Sequence, residues 1–471
     1  MDANIFFGST ELTSSSYSER KSPYSGQVVS RACVCSQEDA IKALNIADKA
    51  AKEAKKSTLS QRCNWLLDVA SKLKENREDM AQTITDEVGK PIAFARIEVD
   101  RCIETVTLSA ETMRTMHGET INTDAMVSGK KTTAFFTREP AGVVVAITPF
   151  NFPLNLVAHK LAPALVAGNA VVLKPTPEAP LTAYKFAKLF IDSEYAIKDA
   201  LSVVYGDAEV GSALISSDIP RVISFTGSVP VGNIITKIAG IKKVSLELGG
   251  NAATYIDASA DLNLAAARCA FGAFVNSGQV CISLQRIYVN TDIYDEFALR
   301  MAEETKKLVV GSPYDDDTFL GPLIDDESAS RAMRWVESAM TEGAKPLLPL
   351  QRDGRMFNPC VMADVRDDMS IVCEEVFAPI VSLIKVDNFD DALPRMNNSP
   401  YGLQFSVFTN DLRITQRAIS ELEAGGIVIN DIPTLRFDIQ PYGGIKLSGV
   451  GREGPKFAIE EMTEVKSVII C

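Results

Sequence analysis

The sequence predicts an α/β fold with two doubly wound αβ domains and a small β segment, and three observations support this. Short apolar runs alternate with amphipathic segments over residues 141–248, which is typical of parallel strands covered by helices on both faces. A second series of the same kind runs over residues 252–428. The chain has 471 residues, too many for one hydrophobic core, so more than one domain is expected.

The spacing of apolar residues predicts three helices ahead of the first alternating series. They cover residues 36–56, with Ser36 as the N-cap, then about 60–76, and then a segment from Pro91 to about Met116. Residues 120–138 are mostly small, polar or β-branched, and Ser128-Gly129 within them is typical of a turn. We therefore predict a β-hairpin over residues 120–138.

The first alternating series is predicted to contain five strands and four helices. In order, they are strand 142–148, helix 154–167, strand 170–174, helix 180–192, strand 201–205, helix 209–216, strand 221–225, helix 231–239 and strand 243–248. The second series is predicted to include strands near residues 252–256 and 285–289.

Composition excludes several classes of partner. A net charge of −13 argues against binding to nucleic acid or to an anionic membrane surface, because both require a basic face. The longest apolar runs have the length of strands, and the N-terminal residues do not resemble a secretory signal. The nine cysteines are scattered, with Cys33 and Cys35 as the nearest pair, which favours reduced thiols and a cytoplasmic location.

The chain has only two histidines, His117 and His159. A Ser-His-Asp or Cys-His mechanism would need one of them, and a zinc site usually needs more, so no metal site is predicted. His159 lies in an apolar run, which favours a packed or capping histidine over a base. The chemistry must therefore depend on Cys, Glu, Asn and Lys side chains.

Three stretches are candidates for that chemistry. Asn151 lies between two phenylalanines and two prolines in residues 149–153, where its amide could stabilise an oxyanion or could cap the next helix. Glu247 is flanked by leucines at the end of a strand, so burial should raise its pKa toward that of a general base, unless a cation pairs with it. Cys281 follows a glycine-containing turn, which suits a nucleophile, although a lone cysteine is usually inert packing.

Two further positions could bind phosphate or ribose oxygens. Gly227 and Ser228 stand at a predicted strand-to-helix turn, where backbone N–H groups and the helix dipole favour a pyrophosphate. The segment is not a G-x-G-x-x-G motif, so the pattern alone is a weak signal. Lys174 ends its predicted strand and could reach a ribose or phosphate, or could remain solvated.

Taken in order along essentially the whole chain, these motifs resemble the aldehyde dehydrogenase superfamily. The set comprises Pro-Phe-Asn-Phe-Pro, Leu-Lys-Pro, Phe-Thr-Gly-Ser, Leu-Glu-Leu-Gly-Gly, Gly-Gln-x-Cys, Glu-Glu-x-Phe-x-Pro and residues 441–449. The resemblance implies oxidation of a small aldehyde to the carboxylic acid, with NAD or NADP as cofactor. The reaction would pass through a cysteine thiohemiacetal and a thioester that water hydrolyses.

The resemblance also implies the roles of individual residues. Cys281 matches the nucleophile, and Asn151 with the backbone N–H of Cys281 matches the oxyanion hole. Glu247 matches the base that activates water, and Lys160 matches a position that assists proton relay. The residues that match cofactor contacts are Thr148, Phe150, Lys174, Gly227, Ser228, Gly232, Glu375 and Phe377.

Two positions depart from the pattern of the family. Pro177 stands where many NAD-selective members have a glutamate that bonds the ribose hydroxyls, so the choice between NAD and NADP stays open. Val280 precedes the nucleophile, where some members have an arginine that binds an anion.

The resemblance divides the chain into three parts. Residues 1–119 and 139–246 would form the dinucleotide-binding domain, and residues 247–440 the catalytic domain. Residues 120–138 and 441–471 would form a β oligomerisation segment, which implies a homodimer or tetramer.

Residues 430–438 place the chain nearest the lactaldehyde, phosphonoacetaldehyde and succinate-semialdehyde branches. Arg436 and Arg101 are therefore candidates to hold a polar or anionic substrate tail. The alternative is that both form ordinary ion pairs: Arg436 with Asp431 or Asp438, and Arg101 with Glu98 or Glu104.

Two other functions stay open from the sequence. In a CoA-acylating semialdehyde dehydrogenase, CoA would replace water, and such enzymes generally lack the base that Glu247 matches. A catalytically inactive oligomeric binding protein could share the fold, but the presence of Cys281, Asn151 and Glu247 together argues against it.

Overall fold

The computed structural model describes all residues from Met1 to Cys471. The α-helices are α1 Gln37–Ala54, α2 Leu59–Glu75, α3 Arg77–Val88, α4 Ile92–Thr115, α5 Asn155–Val166, α6 Pro180–Ile191, α7 Ala208–Ser216, α8 Val229–Ile238, α9 Leu262–Phe274, α10 Tyr294–Lys306, α11 Asp326–Thr341, α12 Ser370–Cys373, α13 Phe389–Asn397, α14 Leu412–Glu421 and α15 Pro455–Glu461.

The chain has twenty-five strands, labelled β1 to β25 in chain order. They are β1 Asp2–Ala3, β2 Ile5–Phe7, β3 Thr10–Leu12, β4 Tyr17–Lys21, β5 Val28–Cys33, β6 Glu119–Thr120, β7 Thr133–Pro140, β8 Val143–Ile147, β9 Ala170–Lys174, β10 Leu201–Val203, β11 Val222–Thr226, β12 Lys243–Glu247, β13 Ala252–Ile256, β14 Leu284–Asn290, β15 Lys345–Pro346, β16 Arg352–Asp353, β17 Met356–Phe357, β18 Cys360–Ala363, β19 Ile380–Val386, β20 Tyr401–Gly402, β21 Gln404–Phe408, β22 Gly426–Ile429, β23 Ile445–Lys446, β24 Gly449–Val450 and β25 Thr463–Ile470.

The first sheet has eight strands in the order β24-β12-β11-β8-β9-β10-β2-β3. Its central strands β8 to β12 are parallel, and they are the strands that the first alternating series predicts. From β8 the chain winds to β9 and β10 on one side and then returns to β11 and β12 on the other. The crevice outside the carboxyl ends of β8 and β11 is therefore the topological switch point, where ligands bind in such folds.

The second sheet has seven strands in the order β15-β18-β19-β14-β13-β21-β22, parallel except for β15. Neighbouring residues along its strands belong to different hydrophobic cores: Tyr255 packs into one and Ile256 into the other. Because successive side chains point to opposite faces of a strand, helices must cover both faces. The predicted fold class, two doubly wound αβ units, is confirmed.

The predicted β-hairpin over residues 120–138 is only partly right. In the third sheet, of order β25-β7-β6, β6 pairs with β7 over just two residues. The segment between them forms a loop, in which the Thr123 hydroxyl bonds the carbonyls of Lys130 and Thr132. The long partner of β7 is β25, paired from Thr463 to Ile470.

Several elements were not predicted from the sequence. Helix α3 follows α2 directly, and Asn76 both ends one helix and begins the next, so no loop separates the two apolar patterns. Strands β2 and β3 extend the first sheet as antiparallel edge strands, a pairing that only contacts distant in sequence determine. No helix combines the length and apolar character that crossing a bilayer requires.

Candidate active site

A cavity of about 520 Å³ lies where the two large sheets meet. The first sheet contributes residues that follow β8, β11 and β12, at the carboxyl ends of these parallel strands. The second unit contributes the turn after α9, the segment after α12 and Arg436. Of the residues singled out from the sequence, those that line it are Phe150, Asn151, Gly227, Ser228, Glu247, Cys281, Glu375, Phe377, Arg101 and Arg436.

The turn before Cys281 has a left-handed backbone. Asn276, Ser277 and Gly278 have φ angles of 52°, 56° and 71°, a conformation that costs about 1–2 kcal/mol for each non-glycine residue. Side-chain bonds offset this cost, because the Ser277 hydroxyl donates to the Gly321 carbonyl at 2.8 Å. A Cβ atom on Gly278 would lie 2.2 Å from the Ala378 carbonyl oxygen. The turn therefore holds the Cys281 backbone in a fixed place.

The Cys281 thiol is half-buried and faces the cavity. Its Sγ lies 3.0 Å from the Tyr442 hydroxyl. Burial raises the pKa of the Cys281 thiol to about 12, although the Tyr442 hydroxyl and the Arg436 charge act in the opposite direction. The resting side chain is therefore a thiol that must lose its proton before or during attack.

Two hydrogen-bond donors beside the cavity have no partner in the protein. The Asn151 side-chain oxygen accepts from the Phe152 N–H at 3.1 Å, which leaves the Asn151 Nδ2 group free. The backbone N–H of Cys281 also makes no hydrogen bond. Unpaired donors near a nucleophile can stabilise a negative oxygen that develops on the substrate. The geometry thus suits the oxyanion role and not the helix-capping alternative, since Asn151 caps no helix.

Glu247, at the end of β12, is 3% exposed, and neither of its carboxylate oxygens has a hydrogen-bond partner. Burial, together with the nearby charge of Glu453, raises its pKa well above the ordinary value. The ion pair with a lysine or arginine that the sequence left open is absent. A carboxyl group with a raised pKa and free oxygens can act as a general base.

Lys160 and Arg436 both contact Glu453 behind Glu247. The Lys160 Nζ lies 3.2 Å from one Glu453 oxygen, and Arg436 Nη2 lies 3.0 Å from the other. Burial would raise the pKa of Glu453, but these two cations outweigh it and hold the pKa low. Lys160 itself does not line the cavity. Its contact with the site is the ion pair with Glu453, which does line the cavity.

The ion pairs expected for the two candidate arginines are mostly wrong. Arg101 pairs with Asp438, through bonds of 2.9 and 2.7 Å, instead of with Glu98 or Glu104. Arg436 pairs chiefly with Glu453 and lies 3.6 Å from Asp438. Asp431 is occupied by Arg268 at 2.6 Å. Folding brings together side chains that are far apart in sequence. Ion-pair partners chosen from residues close in sequence were therefore mostly wrong.

Both arginines line the cavity, and each keeps a terminal nitrogen that no protein acceptor bonds. No protein acceptor bonds the Nη1 group of Arg101, and Arg436 uses only Nη2, toward Glu453 and His159. The Arg436 Nε is buried without a partner. The Nη1 groups of the two arginines could bind a carboxylate, sulfonate or phosphonate through charge-assisted hydrogen bonds.

The residues at the switch point fit a dinucleotide. Lys174 is buried, which lowers its pKa, and its ammonium group forms no hydrogen bond or salt bridge. The hydroxyls of Thr148 and Thr226, at the ends of β8 and β11, are buried without partners. Ser228 begins α8 without a side-chain cap, so N–H groups of its first turn remain free for a pyrophosphate.

The second unit faces the same crevice. Glu375 accepts the Gly250 N–H at 2.9 Å, and burial raises the pKa of Glu375 to about 7. The Phe377 ring meets the Phe150 ring edge to face at 6.0 Å. Gly232 does not line the cavity; a Cβ atom there would lie 2.7 Å from the Leu248 side chain, so this glycine permits close packing of α8.

The sequence predicted no role for Tyr442 or Glu453, and it predicted Asp438 only as a possible ion-pair partner of Arg436. Tyr442 lies within the family-like stretch 441–449, which was the available signal, but nothing in the pattern shows that it contacts Cys281. His159 is buried and lies 3.0 Å from Asp438, as a packed histidine. These residues converge only in three dimensions.

Comparison with known proteins identifies the family of this chain. The model of the "Aldehyde dehydrogenase family" matches residues 11–468. This chain belongs to the aldehyde dehydrogenase family. It is an oxidoreductase that acts on aldehydes, as the names of its relatives also indicate.

Two curated members of the family illustrate the similarity. The 3-sulfolactaldehyde dehydrogenase of Priestia aryabhattai is 44% identical over 450 residues, which cover 95% of this chain and 93% of that protein. The lactaldehyde dehydrogenase of Methanococcus aeolicus is 40% identical over 457 residues, or 96% of this chain and 97% of that protein. The expected likeness to lactaldehyde dehydrogenases is confirmed.

Solved aldehyde dehydrogenase structures share the whole fold. Aldehyde dehydrogenase 21 from Physcomitrella patens, in complex with the reaction product succinate, is 36% identical with a TM-score of 0.96, covering 100% of this chain and 98% of that chain. The NADP-dependent glyceraldehyde-3-phosphate dehydrogenase of Bacillus halodurans, complexed with NADP, is 34% identical with a TM-score of 0.97, covering 100% and 99%.

Proposed function

We propose that this aldehyde dehydrogenase oxidises a short aldehyde that is lactaldehyde-like or has an anionic tail to its carboxylic acid, with NAD or NADP as hydride acceptor. One observation carries the proposal. A single cavity holds the Cys281 thiol, the free donor of Asn151, the unpartnered carboxyl of Glu247 and the free donors of two arginines.

The proposed reaction proceeds in two stages. The Cys281 thiol releases its proton to solvent and the sulfur adds to the aldehyde carbon. The oxygen of the resulting thiohemiacetal accepts bonds from Asn151 Nδ2 and the Cys281 N–H. When bound, the nicotinamide cofactor accepts the hydride from this carbon, and a thioester remains on Cys281. Glu247 then removes a proton from water, which attacks the thioester and releases the acid and the free thiol.

The anionic tail is inferred from the charges around Arg101 and Arg436. Three cations, Arg101, Arg436 and Lys160, stand against the ionised Asp438 and Glu453. Glu247, whose pKa is affected by Glu453, Arg436 and Lys160, has a raised pKa. These six residues together therefore carry a net positive charge whenever Glu247 is protonated. The names of two similar proteins, one acting on sulfolactaldehyde and one bound to succinate, agree with such a substrate.

We propose that both NAD and NADP are accepted, with NAD the better of the two. Pro177 offers no carboxylate to repel a 2′-phosphate. The free ammonium group of Lys174 could bond either a ribose hydroxyl or a phosphate. Glu178 and Asp207 lie near enough to act on Lys174 electrostatically, and their negative charge disfavours the extra phosphate of NADP.

Assembly, location and domain division remain proposals. We propose a homo-oligomer formed through the third sheet, because β25 presents the exposed apolar side chains Val465, Ile469 and Ile470. We propose a cytoplasmic location, since all nine cysteines are free thiols. We likewise propose the division into a dinucleotide-binding domain (1–119 and 139–246), a catalytic domain (247–440) and an oligomerisation segment (120–138 and 441–471). Strand β24, within the last of these ranges, nevertheless joins the first sheet.

The experiment is a cofactor-reduction assay with purified enzyme. We expect NADH or NADPH absorbance to rise on addition of sulfolactaldehyde, succinate semialdehyde or lactaldehyde, without any need for CoA. Cys281→Ser should abolish the reaction while cofactor binding persists, because no histidine contacts residue 281 to activate a serine. Turnover that requires CoA would establish the acylating reaction, and no turnover with any aldehyde would refute the proposal.

A further inference from the structure

The Tyr442 hydroxyl contacts the sulfur atom of the proposed nucleophile. The distance from Tyr442 Oη to Cys281 Sγ is 3.0 Å, and it is the one hydrogen bond that either group makes. Tyr442 is 3% exposed and lines the cavity. A backbone bridge to Glu453 fixes its position.

The ring of Tyr442 is held from a second side by Arg436. The guanidinium carbon of Arg436 lies 3.7 Å from the ring centroid, which is the geometry of a cation–π contact. The same arginine is bonded to Glu453, and Glu453 forms the backbone bridge to Tyr442. The phenol therefore has little freedom to leave the sulfur.

The chemistry of the two groups sets the direction of the hydrogen bond. A phenol is a good donor, whereas a thiol is a weak one. Burial and the nearby sulfur raise the pKa of Tyr442 well above its ordinary value, so the hydroxyl keeps its proton. Once Cys281 ionises, the bond becomes charge-assisted and about twice as strong as a neutral one.

We propose that Tyr442 is a catalytic residue whose hydroxyl donates a hydrogen bond to Sγ of Cys281 and stabilises the thiolate that attacks the aldehyde. This inference rests on the proposed role of Cys281 as nucleophile. The phenol proton is not transferred. The bond weakens when the sulfur gives up its charge to the new carbon–sulfur bond.

Other charged groups also face the thiol from the surrounding elements. The Arg436 charge favours the thiolate, whereas Glu375 and Glu247 oppose it. None of these three is within hydrogen-bond distance of the sulfur. Removal of the Tyr442 hydroxyl would therefore eliminate the hydrogen bond to the sulfur and leave the surrounding charges in place.

The test is Tyr442→Phe, which removes one oxygen and keeps the ring under Arg436. The rate of alkylation of Cys281 by iodoacetamide is measured from pH 6 to 10 by peptide mass spectrometry. We expect about a tenfold lower rate at pH 8, equivalent to an upward shift of roughly one pH unit, with a similar fall in kcat/KM. The exposed Cys373 is the internal reference and should react unchanged.

The matched control is Tyr195→Phe. Tyr195 is half-buried in the first unit and its hydroxyl makes no hydrogen bond, so both alkylation and turnover should stay at the wild-type level. Melting temperatures verify that each variant is folded. An unchanged alkylation profile in Tyr442→Phe would overturn the proposal, even if turnover fell. Failure of the proposed function is separate, since it would appear as turnover retained by Cys281→Ser.

Discussion

At the scale of single residues, the two unpartnered oxygens of Glu247 are the feature with the most direct consequence for the reaction. Burial of an ionised carboxylate that has neither a hydrogen bond nor a paired cation costs several kcal/mol of free energy. In practice such a group stays protonated. Glu247 can therefore act as a base only in its ionised form. That form appears when the charges around Glu247 change or when the pH exceeds its raised pKa. This links its burial to the second stage of the reaction.

We expect Glu247→Gln to slow hydrolysis of the thioester and to leave the first hydride transfer intact. Glutamine keeps the shape of the side chain but cannot accept the proton from water. Stopped-flow measurement should show one burst of NADH or NADPH per active site, followed by a steady rate lower by about two to four orders of magnitude. Loss of the burst itself would instead move Glu247 to activation of the thiol.

The same residue predicts a pH dependence. A raised pKa means that the active, ionised form of Glu247 is depleted at low pH and appears as the pH increases. The Cys281 thiol, with its pKa raised to about 12, acts in the same direction. Steady-state turnover should therefore increase from pH 6 to 9. A profile that falls over this range would contradict both assignments.

Arg101 gives a prediction about substrate choice. It is 27% exposed, whereas Arg436 is 9% exposed and holds Glu453, so replacement of Arg101 disturbs the catalytic carboxyls less. We expect Arg101→Gln to lower kcat/KM for succinate semialdehyde or sulfolactaldehyde by one to two orders of magnitude, about 1.5–3 kcal/mol for a charge-assisted bond. The value for propanal should stay within about twofold.

Arg268→Gln is the matched control for Arg101→Gln. Arg268 also pairs with an aspartate, Asp431, at 2.6 Å, but it does not line the cavity. Its replacement should affect anionic and neutral aldehydes equally little. An equal loss on propanal in Arg101→Gln would show that Arg101 is structural, and the same values as wild type would remove it from the substrate site.

At the scale of elements, the turn before Cys281 is the segment whose backbone conformation would position the proposed nucleophile. Its left-handed residues would be unfavourable in isolation, and they persist because hydrogen bonds to Gly321 and Asn151 hold them. Strain of this kind at a site is maintained by the surrounding structure. The turn is therefore expected to tolerate substitution poorly.

Gly278→Ala tests this expectation against Gly240→Ala. Both glycines have left-handed backbones, with φ angles of 71° and 63°, but an added Cβ would clash with Ala378 at residue 278 and meet nothing at residue 240. Gly240→Ala should cost roughly 1–2 kcal/mol of stability and leave activity unchanged. Gly278→Ala should cost more and reduce turnover at least tenfold. Chemical denaturation and steady-state kinetics measure the two effects.

Equal behaviour of the two glycine variants would contradict the view that the turn positions the nucleophile. The comparison is informative because both variants carry the same backbone penalty. Any additional loss of stability or turnover in Gly278→Ala therefore results from the close approach of the turn to Ala378.

At the scale of the whole molecule, the dinucleotide crevice is built from both large sheets. Lys174, Thr148 and the start of α8 belong to the first unit, while Glu375 and Phe377 belong to the second. A ligand bound across this crevice stabilises the folded state by mass action, by about 2.7 kcal/mol at one hundred times its dissociation constant. Cofactor binding should therefore be visible in the stability of the entire chain.

We expect NAD and NADP each to raise the melting temperature, and their kcat/KM values to differ by less than about a thousandfold, or roughly 4 kcal/mol. The physical reason is the missing carboxylate at Pro177. Pro177→Glu should increase the preference for NAD by restoring repulsion of the 2′-phosphate. Wild-type discrimination above a thousandfold, or no change in the variant, would refute this account of cofactor choice.

Much of the architecture could be predicted from the sequence. The strands β8, β9 and β11 are short, mostly apolar and almost fully buried, and such runs between amphipathic helices have few alternatives to a parallel sheet. Cys281, Asn151 and Glu247 could be singled out because each lies in a family-like motif next to a predicted strand or helix. Local patterns determine features of this kind.

Only the tertiary structure decided which distant side chains meet. The pairing of Arg101 with Asp438 spans 337 residues and the contact of Tyr442 with Cys281 spans 161, so no local pattern could indicate either. Local patterns likewise did not indicate that β7 pairs with β25, at the other end of the chain; only the family resemblance placed residues 120–138 and 441–471 in one β segment. Periodicity reports which face of an element is buried, whereas the identity of the neighbour depends on how the elements pack.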